Sequence, residues 1–243
     1  MIYWTFSNFT EFTPQKTAQL LERFFSNGEI AEFQKFTIPK RRSEWLASRL
    51  LVKQLIQKVM DIKEGIPLQS TTLKKESSGV PYIVIEGMGR VGWLSISHSQ
   101  GGVLAAFSQD ERIRFGVDLE HIEPRPLDLF EDYFTDTEIT WLSNSEERCK
   151  DLYANLVWSA KEAYLKAIEK GLQMDTRKIN IHPINEEISS NGWNALSLNV
   201  EGRLIQDWKL LFSHYQDYIM TLCLPAVHEQ QLIEVEELPD LEV

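Results

Sequence analysis

Apolar positions recur at helical spacing over roughly residues 14–26 and 41–60, and in the second stretch Trp45, Leu46, Leu50, Leu51, Leu55, Ile56 and Val59 form one stripe. That stretch ends at the polar run DIKEGIP (61–67), whose Gly and Pro stop a helix. The period then changes. VPYIVIE (80–86), WLSIS (93–97), GVLAAF (102–107) and RIRFGVDLE (112–120) are short, rich in β-branched or aromatic residues, and separated by Gly, Ser, Gln and Asp, which predicts strands joined by turns. Pro124 and Pro126 break the pattern. A helical block follows: LDLFEDYF (127–134), a short helix opened by the capping box Thr135-x-x-Glu138, and a helix over about 146–170 that Gly171 ends. Strands near 178–182, 194–200, 207–214 and 218–224 close the pattern, the last two joined by a turn containing Asp217. Each half offers helices plus a small, mostly antiparallel sheet, so the expected class is α+β with two subdomains, 1–112 and 113–226, and a tail over 227–243.

Composition narrows the function classes. The chain has 243 residues, 43% of them apolar, with 36 acidic and 25 basic side chains and a net charge of -11. Such a chain can bury real cores, which excludes disordered, collagenous and low-complexity classes. Its two cysteines, Cys149 and Cys223, can neither staple a secreted scaffold nor build a multi-thiolate zinc site, so a reducing cytoplasm is the expected compartment. The opening MIYWTFSNFTEFTPQK has no basic segment followed by an apolar one, and no apolar run approaches the roughly 18 residues a membrane span needs. Neither a signal peptide nor membrane insertion is expected. The acidic balance also argues against non-specific nucleic-acid binding. Residues 40–75 are the exception: nine Lys or Arg face only Glu44, Asp61 and Glu64, a local balance of +6. That stretch reads either as the polar face of an amphipathic helix or as the means of meeting a polyanionic small molecule. The last sixteen residues carry six carboxylates and no Lys or Arg, and read as a solvated tail.

Three clusters could carry chemistry. In GVDLEHI (116–122) strand alternation puts Asp118 and Glu120 on one face, about 7 Å apart, where they repel unless a cation or proton intervenes. In WSAKEAYLKAIEKG (158–171) Trp158, Glu162 and Lys166 share a helix face at four-residue steps. Brought against Asp118 and Glu120, Glu162 would complete an oxygen-rich site for a hard cation such as Mg²⁺; left on the surface, it is an ordinary pair with Lys166. In WLSISHSQGG (93–102) a strand ends in Ser97, His98 and Ser99, groups suited to a phosphate. A hydrolase reading of that cluster is poor, because adjacent Ser and His do not form a triad and no G-x-S-x-G elbow occurs.

In this order and at these distances, SISHS (95–99), GVDLE (116–120) and WSAKEAYLK (158–166) resemble the Sfp-type 4′-phosphopantetheinyl transferases, as does RRSEWLASRLLVK (41–53). The resemblance spans about residues 40–224 and implies a pair of pseudo-symmetric α+β subdomains. It implies transfer of phosphopantetheine from coenzyme A to a serine of an apo acyl or peptidyl carrier protein, with release of adenosine 3′,5′-bisphosphate. In that reading Asp118, Glu120 and Glu162 hold Mg²⁺, or Mn²⁺ in its place, against the diphosphate of coenzyme A. Lys166 and Lys161 meet phosphate oxygens, while Ser97, His98, Arg42 and Arg49 contact the 3′-phosphate side. Glu162 is the preferred general base, with a metal-bound water as the alternative. Carrier docking is expected on PRPLDLFEDYF through Leu127, Phe130 and Phe134, whose helical spacing equally suits a core. Two fused halves favour a monomer. The chain has Gly79-Val80-Pro81 where the family often has Gly-Lys-Pro, and Ser48 where it usually has Gly. A coenzyme A or carrier-binding module without catalysis is the rival reading.

Overall fold

The computed structural model describes residues 1–60, 68–125, 127–183 and 192–235, and the chain divides into two compact units. One comprises Met1–Arg112 with the segment that begins at Gln231; the other is Ile113–Gln230. The helix stop expected at 61–67 and the end of the acidic segment, 236–243, lie outside the described residues.

The first unit runs β1 (Ile2–Asn8), α1 (Pro14–Phe24), α2 (Asn27–Phe33), α3 (Pro39–Val59), β2 (Thr71–Lys75), β3 (Pro81–Ile85), β4 (Gly89–Val91), β5 (Trp93–Ser99) and β6 (Gly102–Ser108). The second runs β7 (Gly116–His121), α4 (Leu127–Tyr133), α5 (Asp136–Asn144), α6 (Glu147–Ala167), β8 (Ile179–Pro183), β9 (Asn194–Val200), β10 (Arg203–Leu204), β11 (Trp208–Tyr215) and β12 (Tyr218–Pro225). β13 (Leu232–Glu234) returns to the first unit and pairs parallel with β1, in a sheet ordered β13-β1-β6-β5. The expectation of a wholly solvated tail is therefore corrected: Leu232, Ile233 and Glu234 pair in register with Ile2, Tyr3 and Trp4. A second sheet of the first unit is ordered β2-β3-β4. The second unit holds a six-stranded sheet, β10-β9-β11-β12-β7, with β8 also on β9. Its hairpin β11–β12 turns at Gln216, at φ 53°, and Asp217. Apart from β1 with β13, every pairing among the described residues is antiparallel. The class is α+β. Among the described residues no helix is long and apolar enough to cross a membrane.

The helix expected over 14–26 is α1, Pro14–Phe24, and a second short helix that the pattern does not predict follows it. Ser26 caps α2 in a reciprocal box with Glu29, so the chain turns at Phe25 and Ser26 instead of continuing. α3 departs further from expectation. Its apolar stripe predicts an amphipathic surface helix, yet its residues from Ser43 to Ile56 are buried all round, charged ones included. Leu46, Leu50 and Leu55 join Ile83, Val103, Ala105 and Phe107 in the first core, while Lys53 pairs with Glu29 and Arg49 with Glu32. Two of the nine basic side chains are thus neutralised by α2, and less of the positive charge faces outward than the local count implies.

Candidate active site

Everything at the candidate site depends on how closely α6 lies on β7. Gly116 opens β7, and a Cβ there would collide with the carbonyl oxygen of Ala163 and the amide nitrogen of Ala167. The helix face toward the sheet is correspondingly small: Ala160, Ala163 and Ala167 are buried, and Ser159 is tied to Thr221 of β12 by a 2.8 Å hydroxyl contact. Asp118 stands opposite Thr221 in the β7–β12 register and Glu120 opposite Ile219. Close approach then brings the next residues of α6, Glu162 and Lys166, to the acidic strand.

Lys166 Nζ donates to Asp118 Oδ1 at 2.7 Å and to the Val117 carbonyl at 3.2 Å. Arg125, from the loop after β7, donates from Nη2 to Glu120 Oε2 at 2.6 Å and from Nε to Asn155 Oδ1 at 2.6 Å. Asn155, fully buried on α6, is oriented in turn by donating to the carbonyls of Glu123 and Asp151. Burial, and then the neighbouring charge of Asp118, push the Glu120 carboxyl up to about 7 against the opposing pull of Arg125 and Lys166. Glu162 is also pushed up, mainly by burial and further by Asp118, with Lys166 opposing. Its Oε1 is buried without a hydrogen-bond partner. An orphaned carboxylate oxygen that feels the charge of Asp118 suits a hard cation, the kind of ligand that oxygen-only sites select. Among the described residues no three His, Cys, Asp or Glu side chains are already drawn into a metal-holding cluster. Lys166 and Arg125 meet the negative charge of Asp118 and Glu120 instead.

Sequence patterning alone points to neither Arg125 nor Gly116. Arg125 sits in a Pro-flanked loop with no periodicity to place it, and Gly116 has the same local signature as any strand-opening glycine. Arg125→Ala removes a group that holds the Glu120 pKa down. The carboxyl of Glu120 should then titrate above its midpoint of about 7, as followed by carbon-13 carboxyl NMR. An unchanged midpoint would mean that Arg125 does not govern it.

Two expectations are overturned. Lys161 does not present its ammonium to a ligand: the side chain is 0% exposed and donates to Glu138 Oε2 (2.7 Å), the Tyr133 carbonyl (2.9 Å) and the Thr176 carbonyl (3.0 Å). Three acceptors exhaust an ammonium. Phe130 and Phe134 do not form a docking surface, because they are buried against each other at 4.8 Å in a core with Leu142, Ala154 and Val157. The side chain of Leu127 lies outside the described residues. In the first unit, Arg42 donates to the Phe36 carbonyl and lies 4.1 Å over the Phe33 ring. Arg49 is buried, stacked 3.9 Å over Trp45 and paired with Glu32 at 3.0 Å. Ser97 is half-buried on β5, and His98 is exposed, 4.0 Å from Glu44.

Residues 114–223 match the model of the 4′-phosphopantetheinyl transferase superfamily, a stretch that includes Gly116, Asp118, Glu120, Arg125, Glu162 and Lys166. Over that stretch, a little under half of its length, the chain is similar to that superfamily. It is 25% identical to the 4′-phosphopantetheinyl transferase HetI of Nostoc sp. over 215 residues, covering 83% of this chain and 88% of that protein. To a putative 4′-phosphopantetheinyl transferase of Synechocystis sp. it is 30% identical over 155 residues, 62% of this chain and 59% of the relative. To Sfp of Bacillus subtilis it is 30% identical over 90 residues, 36% and 39% of the respective chains. The last two alignments span less than two thirds of the relatives. The superfamily match runs from the strand that carries the acidic pair through β12, so it covers the elements that Gly116 packs together.

Proposed function

We propose that this protein is a 4′-phosphopantetheinyl transferase that moves phosphopantetheine from coenzyme A to a serine of an apo acyl or peptidyl carrier protein. The observation that carries the reading is the meeting of Glu162 and Lys166 on α6 with Asp118 on β7, built over a glycine that only close packing explains. Asp118, Glu120 and Glu162 would hold the divalent cation, Mg²⁺ by preference. When bound, it supplies neutralisation of the donor's diphosphate. Lys166, 2.7 Å from Asp118 and the less buried partner of that pair, can turn toward a phosphate once a cation shares the carboxylate. Glu162 accepts the proton of the carrier serine. The serine oxygen forms the new bond to phosphorus, the bond to the departing phosphate breaks, and adenosine 3′,5′-bisphosphate leaves. Within the first unit, Arg42, Arg49, Ser97 and His98 are the proposed contacts to coenzyme A; those of Arg42 and Arg49 require them to give up the partners described above. The protein is proposed to act as a cytoplasmic monomer.

The test is to incubate the protein with an apo carrier, coenzyme A and Mg²⁺ and to weigh the carrier. A mass gain of one phosphopantetheine is expected. No gain in any carrier class, with coenzyme A still bound tightly, would select the non-catalytic module.

A further inference from the structure

The buried ammonium of Lys161 is one of a matched pair. In the second unit, Phe134 and the box Thr135-x-x-Glu138 precede α5, and Lys161 of α6 reaches Glu138 at 2.7 Å, with its Nζ 5.2 Å from the Phe134 ring. In the first, Phe25 and the box Ser26-x-x-Glu29 precede α2, and Lys53 of α3 reaches Glu29 at 2.8 Å, with its Nζ 4.9 Å from the Phe25 ring. Each ammonium takes two backbone carbonyls besides: Tyr133 and Thr176 for Lys161, Leu68 and Thr71 for Lys53. All four charged side chains are at most 2% exposed. The next residue differs. After Lys53 comes the neutral Gln54, whereas after Lys161 comes Glu162.

Burying such a pair gains little stability over an apolar pair of similar volume, because desolvation offsets most of the attraction. Burial accordingly pulls the Lys161 ammonium below its ordinary value while Glu138 opposes. What an ammonium adds over a methylene chain is direction, since it satisfies three acceptors from three segments at once. Those segments are the end of α4, the start of α5 and the stretch after α6. Tyr133 also packs its ring edge-on at 5.2 Å against Trp158, one helical turn before Glu162. Consecutive helix residues point about 100° apart, so a clamp on Lys161 fixes where Glu162 points.

We propose that Lys161, through Glu138, is a positioning residue that sets the rotation of α6 so that Glu162 faces the acidic strand β7. The proposal rests on the function proposed above, but its metal readout does not. The double variant Lys161→Met with Glu138→Gln removes both charges and keeps a capping residue at 138. Its melting temperature should fall by several degrees, because the Thr176 carbonyl loses its ammonium donor, while the protein stays folded at assay temperature. At unchanged KM for coenzyme A, kcat should fall about 100-fold, the scale of a small misplacement at a reacting centre. Affinity for Mn²⁺, measured by calorimetry on the protein alone, should fall at least about tenfold, the factor that loss of support for a metal ligand commonly costs. Wild-type kcat and Mn²⁺ affinity in a stably folded double variant would overturn the proposal, since losing a merely structural pair would change stability and neither of these. If that variant does not fold, Lys161→Arg carries the same readouts: a planar guanidinium keeps the charge but aims its donors differently from an ammonium and is larger, and wild-type values there overturn the proposal equally. A wild-type protein that transfers nothing rejects the proposed function, and the Mn²⁺ comparison then judges the clamp by itself.

Discussion

Glu162→Gln is expected to reduce carrier modification by about a thousandfold, within the range that losing a positioned base spans, while the protein unfolds no earlier than wild type. The two halves of this expectation have one cause. Glu162 is held with a buried, unpartnered oxygen near Asp118, and burial raises its pKa. A carboxyl whose folded pKa lies above its unfolded value of about 4.3 is neutral in both states at low pH and costs stability once pH rises through the folded value. Glutamine keeps the shape and removes the ionisation. The variant should therefore match wild type in stability at about pH 4 and equal or exceed it at about pH 8, as read by thermal melts across that range. Turnover within about tenfold of wild type would remove Glu162 from its assigned role. A melting temperature lowered at the alkaline end would show that the carboxylate is a structural partner and not a strained one.

Gly116→Ala is expected to destabilise the protein by about 3 kcal/mol, at the upper end of the usual cost of overpacking. The usual relief is closed off. The added Cβ would meet the carbonyl of Ala163 and the amide of Ala167, which are backbone atoms and cannot swing aside as a side-chain tip could. The backbone at Gly116 is not among the positive-φ positions, so close approach alone demands the glycine. The strain would be relieved only by lifting α6, and that same movement carries Glu162 and Lys166 away from Asp118. Urea unfolding should show a lower midpoint at unchanged slope, and the folded fraction should have reduced kcat. Wild-type stability would mean that helix and strand are not in the contact described.

Legibility from sequence follows what each signal measures. The strand at 194–200 and the two that form the last hairpin are readable because alternation and turn residues are local properties, and so is the Thr135-x-x-Glu138 cap. β1 escapes such a reading: IYWTFSN carries strand-forming residues, but its partners β6 and β13 are remote in the chain and no adjacent turn announces a hairpin. α2 escapes as well, because its seven residues, NGEIAEF, are too few to show a helical period. The expectation for Lys161 fails for a more general reason. The resemblance carries a residue type over without its burial, and a helix buried on several sides spends this lysine on Glu138. Phe130 and Phe134 depart in the opposite direction, since helical spacing of aromatics is the same for a core and for a docking ridge.

The residue types of the site, their order and the α+β class follow from the sequence by itself, because motif spacing, alternation and helical period are written along one dimension. Which lysine faces the carboxylates and which is spent on a buried glutamate was decided only by tertiary structure, as were the pairing of Arg125 with Glu120 and the return of residues 232–234 to β1. The physical reason is that desolvation and close approach depend on what a distant segment places against each side chain. At Gly116, the absence of a single methyl group sets how near α6 can come.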